Sequence, residues 1–171
     1  MRRLFGPLAG AIAAVALSAA APRSVPHQVL LTRSGDLRVE RKFTVIPWQV
    51  TAPAGAGDMW AAGMPTRITI PAGWEGGSVL LNGGVDLAGL WPGDEDIAIT
   101  IGKNGRFGNS SLAIAIGRAN GGGFGGLTIT AMDLAPVAGD YFEIGVLTGQ
   151  ATHGQTIKAA RPTFFQARQL F

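Results

Sequence analysis

Ile97-Ala98-Ile99-Thr100-Ile101-Gly102-Lys103-Asn104-Gly105 is the stretch from which the fold can be read. Branched apolar residues at 97, 99 and 101 alternate with small or polar ones, the period of a half-buried strand. Asn104-Gly105 follows at once, and the two central residues of a type I′ turn need positive φ, which Asn and Gly tolerate, so a hairpin is predicted here. The same alternation recurs outward in both directions. Leu37 and Val39, continued by Phe43 and Val45, read as one strand, and Arg67-Ile68-Thr69-Ile70 as the next, ended by Pro71-Ala72-Gly73. Val79, Leu81, Val85 and Leu87 follow, then Leu112, Ile114 and Ile116, then Leu127 and Ile129, then Phe142, Ile144 and Val146, and last an aromatic run over 162–171. About eight strands at roughly 8–15-residue spacing predict an all-β sandwich or jelly roll. In the run 141–146, Phe142, Ile144 and Val146 are expected to point inward and Tyr141, Glu143 and Gly145 outward.

Composition supports this reading. The 171 residues are 47% hydrophobic and 15% charged, enough to bury one good core but not two large ones. The 26 glycines and 10 prolines, without a G-X-Y period, suit the turns of many short strands and not a helical bundle. With no cysteine, neither a disulfide framework nor a thiolate metal site can form. The net charge of +3 is uneven: Arg2, Arg3, Arg23, Arg33, Arg38, Arg41 and Lys42 face only Asp36 and Glu40 in the first fifty positions. These cations are scattered and carry no interleaved aromatic motif, so no nucleic-acid partner is expected.

The chain divides into residues 1–35, an apolar and basic docking arm with its linker, and residues 36–171, the all-β body. Residues 1–21 have the form of a secretory signal, with Arg2 and Arg3 before an apolar run and small residues before Pro22. Retained, the Ala-rich run 9–21 would make a short helix, apolar nearly all round and stable in water only against a partner. Gly6, Pro7 and Gly10 leave it short of the usual span of about 20 apolar residues across a membrane. Residues 22–35, with two prolines and no period, are expected to be an extended linker.

Catalytic raw material is scarce. The histidines are His27 in the linker and His153 in a polar loop, and no serine sits in a G-x-S-x-G elbow, so no triad or multi-histidine zinc site is expected. Gly121 to Gly126 formally matches G-x-G-x-x-G, but it lies between strands with no helix to meet a phosphate. Asp94-Glu95-Asp96 reads as a solvated turn, since calcium sites draw on spaced ligands. Trp48, Trp60, Trp74 and Trp91 could serve as sugar-stacking platforms, though two or three are expected in the core or at an interface. No catalytic residue, cofactor-binding residue or metal ligand is assigned, and no enzyme activity is expected.

Four segments carry a resemblance: residues 65–73 (PTRITIPAG), 101–105 (IGKNG), 138–144 (AGDYFEI) and 163–167 (TFFQA). In type and order they resemble the complement globular-head and tumour-necrosis-factor-like jelly roll, notably the variants found in phage structural proteins. The likeness covers roughly residues 40–171 and departs from the usual pattern over 74–84, which is glycine-rich here. It implies a homotrimer, and a sandwich with glycine-rich edges would itself gain from burying one flank in an oligomer. A compact body with no catalytic set, joined to an apolar and basic segment that needs a partner to be ordered, leads to the expectation of a capsid decoration or cement subunit on a bacteriophage virion, docked on the major capsid or another virion protein through residues 1–35. One alternative is a tail or head fibre that binds a host-surface glycan through the loops around Trp91 and Gly121 to Gly126. Another is a secreted or periplasmic sugar-binding jelly roll whose first 21 residues are a cleaved signal.

Overall fold

The alternating run at 97–101 lies inside a ten-residue strand, Asp94–Lys103, and the sheets assemble around it. The computed structural model describes residues 26–39, 43–51, 58–88, 94–120, 126–148, 155–157 and 163–171. In chain order the strands are β1 (Gln28–Thr32), β2 (Leu37–Val39), β3 (Thr44–Val45), β4 (Val50–Thr51), β5 (Arg67–Thr69), β6 (Ser78–Val85) and β7 (Leu87–Ala88). They continue with β8 (Asp94–Lys103), β9 (Ala113–Asn120), β10 (Leu127–Asp133), β11 (Tyr141–Thr148), β12 (Gln155–Ile157) and β13 (Phe164–Leu170). No α-helix is found among the described residues; the helix expected over 9–21 lies outside them.

Two antiparallel sheets face each other. One runs β10-β6-β13-β1-β4, the other β3-β11-β8-β9 with β5 also on β11. Non-consecutive neighbours in both are the mark of a jelly roll, so the expected fold class stands. Val29, Leu31, Leu81, Ile129, Phe165 and Ala167 of the first sheet, with Ile97, Ile99, Ile101, Phe142, Ile144 and Val146 of the second, fill the space between. Gly83 of β6 lets the sheets approach closely: a Cβ there would collide with the Ile144 side chain and press on Ile129.

Tertiary pairing overrides several expectations. The linker expected over 22–35 contains β1, paired along its whole length with β13, from Gln28↔Arg168 to Thr32↔Phe164. Val29 and Leu31 are buried. Five residues are too short to show a period, and the ladder that makes them a strand is supplied by the far end of the chain. Residues 37–45 are two strands and not one, since β2 pairs with β12 in a small third sheet while β3 joins β11. Asp94, Glu95 and Asp96 are not a turn but the start of β8, opposite Asn120, Ala119 and Arg118.

At Asn104-Gly105 both φ angles are positive, 54° and 72°, and Lys103 bridges Arg106, as a type I′ turn requires. The chain then passes through a 3-10 turn at Gly108–Ser110 before β9 begins. Phe142, Ile144 and Val146 point into the core as expected, but Glu143 and Gly145 are buried as well, because other groups cover the second face of β11.

Phe142→Ala should cost about 3–5 kcal/mol through lost burial and a residual cavity, read as a lower midpoint in denaturant unfolding. Removing residues 1–25 should preserve cooperative melting. Removing residues 1–35 takes away β1 and exposes β13 and β4, so the melt should broaden or vanish; circular dichroism melting curves of the two truncations check this.

Candidate interaction surfaces

Each large sheet turns one face to the core and the other outward. On the outward face of the five-stranded sheet the register sets side chains in rows. Met132, Leu80, Arg168 and Gln28 are opposite one another, then Thr130, Asn82, Gln166 and Leu30, then Thr128, Gly84, Phe164 and Thr32. Leu30, Leu80, Phe164 and Leu170 are half-buried and Met132 is exposed. Thr130 donates a hydrogen bond to Asn82 at 2.9 Å in the middle row. The result is a face on which apolar and polar side chains are mixed, each row holding at least one apolar residue among polar ones.

The outward face of the second sheet is built differently. Two glycines make room for two rings: a Cβ at Gly145 would strike the Phe43 ring, and one at Gly102 would strike Phe107. The rings contact each other with centroids 4.4 Å apart, within the range for favourable aromatic pairs. Beyond them β9 inverts the usual order: small Ala113 and Ala115 pack on the core while Leu112, Ile114 and Ile116 face out, the last two 48% and 69% exposed. Ile116 is opposite Ala98, and Ala98 opposite Leu147, itself 50% exposed, so the strip crosses three strands.

A charged clip ties the two sheets at one end. The Lys103 ammonium lies 2.6 Å from Asp133 of β10 and 2.7 Å from Asp140, just before β11. Asn104 donates to Asp140 at 2.8 Å and accepts from the Tyr141 N–H at 2.9 Å, and the Val137 N–H donates to Asp140 at 3.0 Å. Burial alone would lower the Lys103 pKa, but hydrogen bonds to the two aspartates, reinforced by their charge, outweigh it and raise it. Burial alone would raise that of Asp140, but bonds from Asn104, Lys103 and the Val137 amide hold it below its ordinary value. Glu143 is held separately, accepting from the Thr66 hydroxyl at 2.8 Å, with Arg67 stacked 4.1 Å over the Tyr141 ring.

The residues singled out in the sequence do not converge. His27 pairs with Asp58 at 2.9 Å and contacts Trp74 at 5.9 Å between centroids. Trp48 is in the core beside Phe165, and Trp60 and Trp74 are packed against that core, so none of the three forms an open sugar platform. His153, Trp91 and Gly121 to Gly125 lie outside the described residues. The outward apolar strip was missed because alternation shows that a strand has two faces without showing which one is covered.

No family model and no curated protein matches the chain. Solved structures do. Murine APRIL at pH 5.0 superposes with a TM-score of 0.59 at 14% identity, over 85% of this chain and 100% of that one. The same protein at pH 8.0 scores 0.56 over the same shares. Eiger TNF from S. frugiperda scores 0.52 at 13% identity, over 85% and 93%. The fold is a tumour-necrosis-factor-like jelly roll. At these identities the likeness concerns the TNF-like backbone alone, and the side chains of the two outward faces belong to this chain.

Lys103→Met leaves two carboxylates facing each other at the end of the TNF-like sandwich, and should cost about 1.5–3 kcal/mol, read by denaturant unfolding. The depressed Asp140 pKa contributes stability that is complete above the ordinary carboxylate value of 3.8 and lost as pH falls through the lower folded value. The raised Lys103 pKa contributes stability that is complete below 10.5 and lost as pH rises through the higher folded value. Melting temperature against pH should therefore fall at both extremes, and less steeply in Lys103→Met. Gly145→Val must displace the Phe43 ring and should cost about 1–3 kcal/mol as overpacking.

Proposed function

We propose that this chain is a non-catalytic homotrimer that decorates the surface of a bacteriophage particle. The observation that carries the trimer is the outward face of the five-stranded sheet. Leu30, Leu80, Phe164 and Leu170 lie on it, each half-buried, with Met132 exposed opposite Leu80. A surface of this kind, with half-buried apolar side chains interspersed with hydrogen-bonding ones, suits a cyclic contact between identical subunits. Placement on a virion is supported by the order of the segments at 65–73, 101–105, 138–144 and 163–167, which resembles that of phage-borne jelly rolls. The cations Arg2, Arg3 and Arg23, with no acid among residues 1–35, suit contact with an acidic shell surface.

Sedimentation velocity should return three times the chain mass. Leu80→Arg places a charge on the proposed contact without touching the core, and should yield a folded monomer with a near-native far-UV spectrum. A monomeric parent, or a trimer indifferent to Leu80→Arg, overturns the assembly. Mass spectrometry of purified phage heads should find the chain, and particles lacking it should lose heat resistance; its absence from particles removes the virion assignment and leaves the trimer standing.

A further inference from the structure

The two large sheets end unequally at their two sides. At one side they end in β3, β5 and β4, strands of two or three residues that offer little to a further strand. At the other they end in β9 and β10, eight and seven residues long. Native edges of such length are blunted by charge, proline or a bulge. β10 turns Thr128 and Thr130 outward and ends at Asp133, whose carboxylate the Lys103 ammonium holds. From Leu112 to Gly117, LAIAIG, the β9 edge has neither charge nor proline, and the first charge comes only with Arg118.

β9 has a ladder partner on one side alone. β8 takes that side from Asp94↔Asn120 to Ile101↔Ala113, and no strand of the described chain takes the other. In an antiparallel strand the N–H and C=O groups of successive residues point to alternate sides, so every second residue of β9 offers a donor and an acceptor to a further strand. Water can satisfy those backbone groups, but it gives nothing to the side chains beside them. Leu112, Ile114 and Ile116 are exposed on the outward face, and Leu147 continues their strip across Ala98.

The pattern of the strand identifies its occupant. Leu112-Ala113-Ile114-Ala115-Ile116 runs large, small, large, small, large, and it is symmetric about Ile114. Antiparallel pairing with an identical strand, on a twofold axis through Ile114, sets Leu112 opposite Ile116 of the second copy and Ile114 opposite its own counterpart. Ala113 then meets Ala115 on the inner face. Residues opposite one another in such a pair share a face at about 4.5–5.5 Å between Cβ atoms, so three apolar pairs line up on the outward side. A twofold contact between identical chains requires self-complementarity of this kind.

The contact is small. The exposed strip amounts to on the order of a few hundred Å², against about 800 Å² on each partner of a stable interface. It therefore suits copies that are already held side by side at high effective concentration. We propose that β9 is a joining edge, pairing with β9 of a second copy across a twofold axis through Ile114, so that the β3-β11-β8-β9 sheets of the two copies continue as one. The proposed trimer contact lies on the outward face of the other sheet and does not use this edge. On a particle the pairing links neighbouring trimers to one another; that consequence, unlike the pairing itself, rests on the trimeric surface reading above.

The native chain has no cysteine, so single substitutions report the register directly. Full-length Ile114→Cys, oxidised mildly at high protein concentration, should form disulfide-linked pairs of chains, since Cα atoms opposite one another in an antiparallel pair are about 4.5–5.5 Å apart, within disulfide reach. Leu112→Cys on the same strip puts its two thiols four residues out of register, roughly 14 Å apart at about 3.4 Å per residue, and should link at least tenfold less. Sedimentation of oxidised Ile114→Cys should show six chains or more, against three for the dilute parent. Ile114→Lys sets two ammonium groups together on the axis and should abolish association of the concentrated parent beyond three chains, with its melting curve unchanged. Three results overturn the proposal: Ile114→Cys staying reduced in cooperatively melting protein, Leu112→Cys linking as readily, or association beyond the trimer surviving Ile114→Lys. A parent that sediments as a monomer, with Ile114→Cys joining chains in twos, overturns the trimer and leaves the edge pairing standing.

Discussion

Everything in this molecule leans on β11 being covered on both faces. Its inner side chains, Phe142, Ile144 and Val146, fill the centre of the sandwich. Two of its outer positions, Glu143 and Gly145, are buried too, with Phe43 against Gly145 and Thr66 and Arg67 closing over Glu143, while Leu147 beyond them stays half exposed. A strand so enclosed must satisfy its backbone through its neighbours, and β3, β5 and β8 do so. The short strands β3 and β5 are too brief to persist by themselves; they are held because β11 offers them a ladder.

The second constraint is the closeness of the sheets. Gly83 admits Ile144, and Gly145 and Gly102 admit the phenylalanines outside, so three glycines set how near neighbouring layers can come. Close packing on this scale converts small changes of volume into losses of whole kcal/mol. At the open end of the sandwich, where packing gives out, the Lys103 ammonium between Asp133 and Asp140 replaces it with directional charge. Each partner is partly exposed, so the clip positions the 103–105 turn against β11 as much as it stabilises the core.

The two outward faces divide the remaining work. One presents a broad face of mixed apolar and polar side chains with the Thr130–Asn82 hydrogen bond on it; the other presents a narrow strip of isoleucine and leucine. Both follow from antiparallel sheets whose second face the described body covers only in part. The difference lies in width, because β9 is at the end of its sheet and β6, β13 and β1 are interior to theirs.

Period-two alternation around 97–101, the Asn104-Gly105 turn and the glycine content were enough to determine an all-β jelly roll and the inward set at 142–146, since those signals are local: each depends on a residue and its near neighbours. The split of 37–45 between two sheets, the conversion of the supposed linker into β1 and the continuation of β8 through Asp94 were decided by strands arriving from distant parts of the chain. The same holds for the surfaces. Leu112, Ile114 and Ile116 alternate as a core strand would, and only the packing of Ala113 and Ala115 against the other sheet turned their larger neighbours outward. A sequence fixes that a strand has two different faces; which one is covered depends on what the rest of the chain places against it.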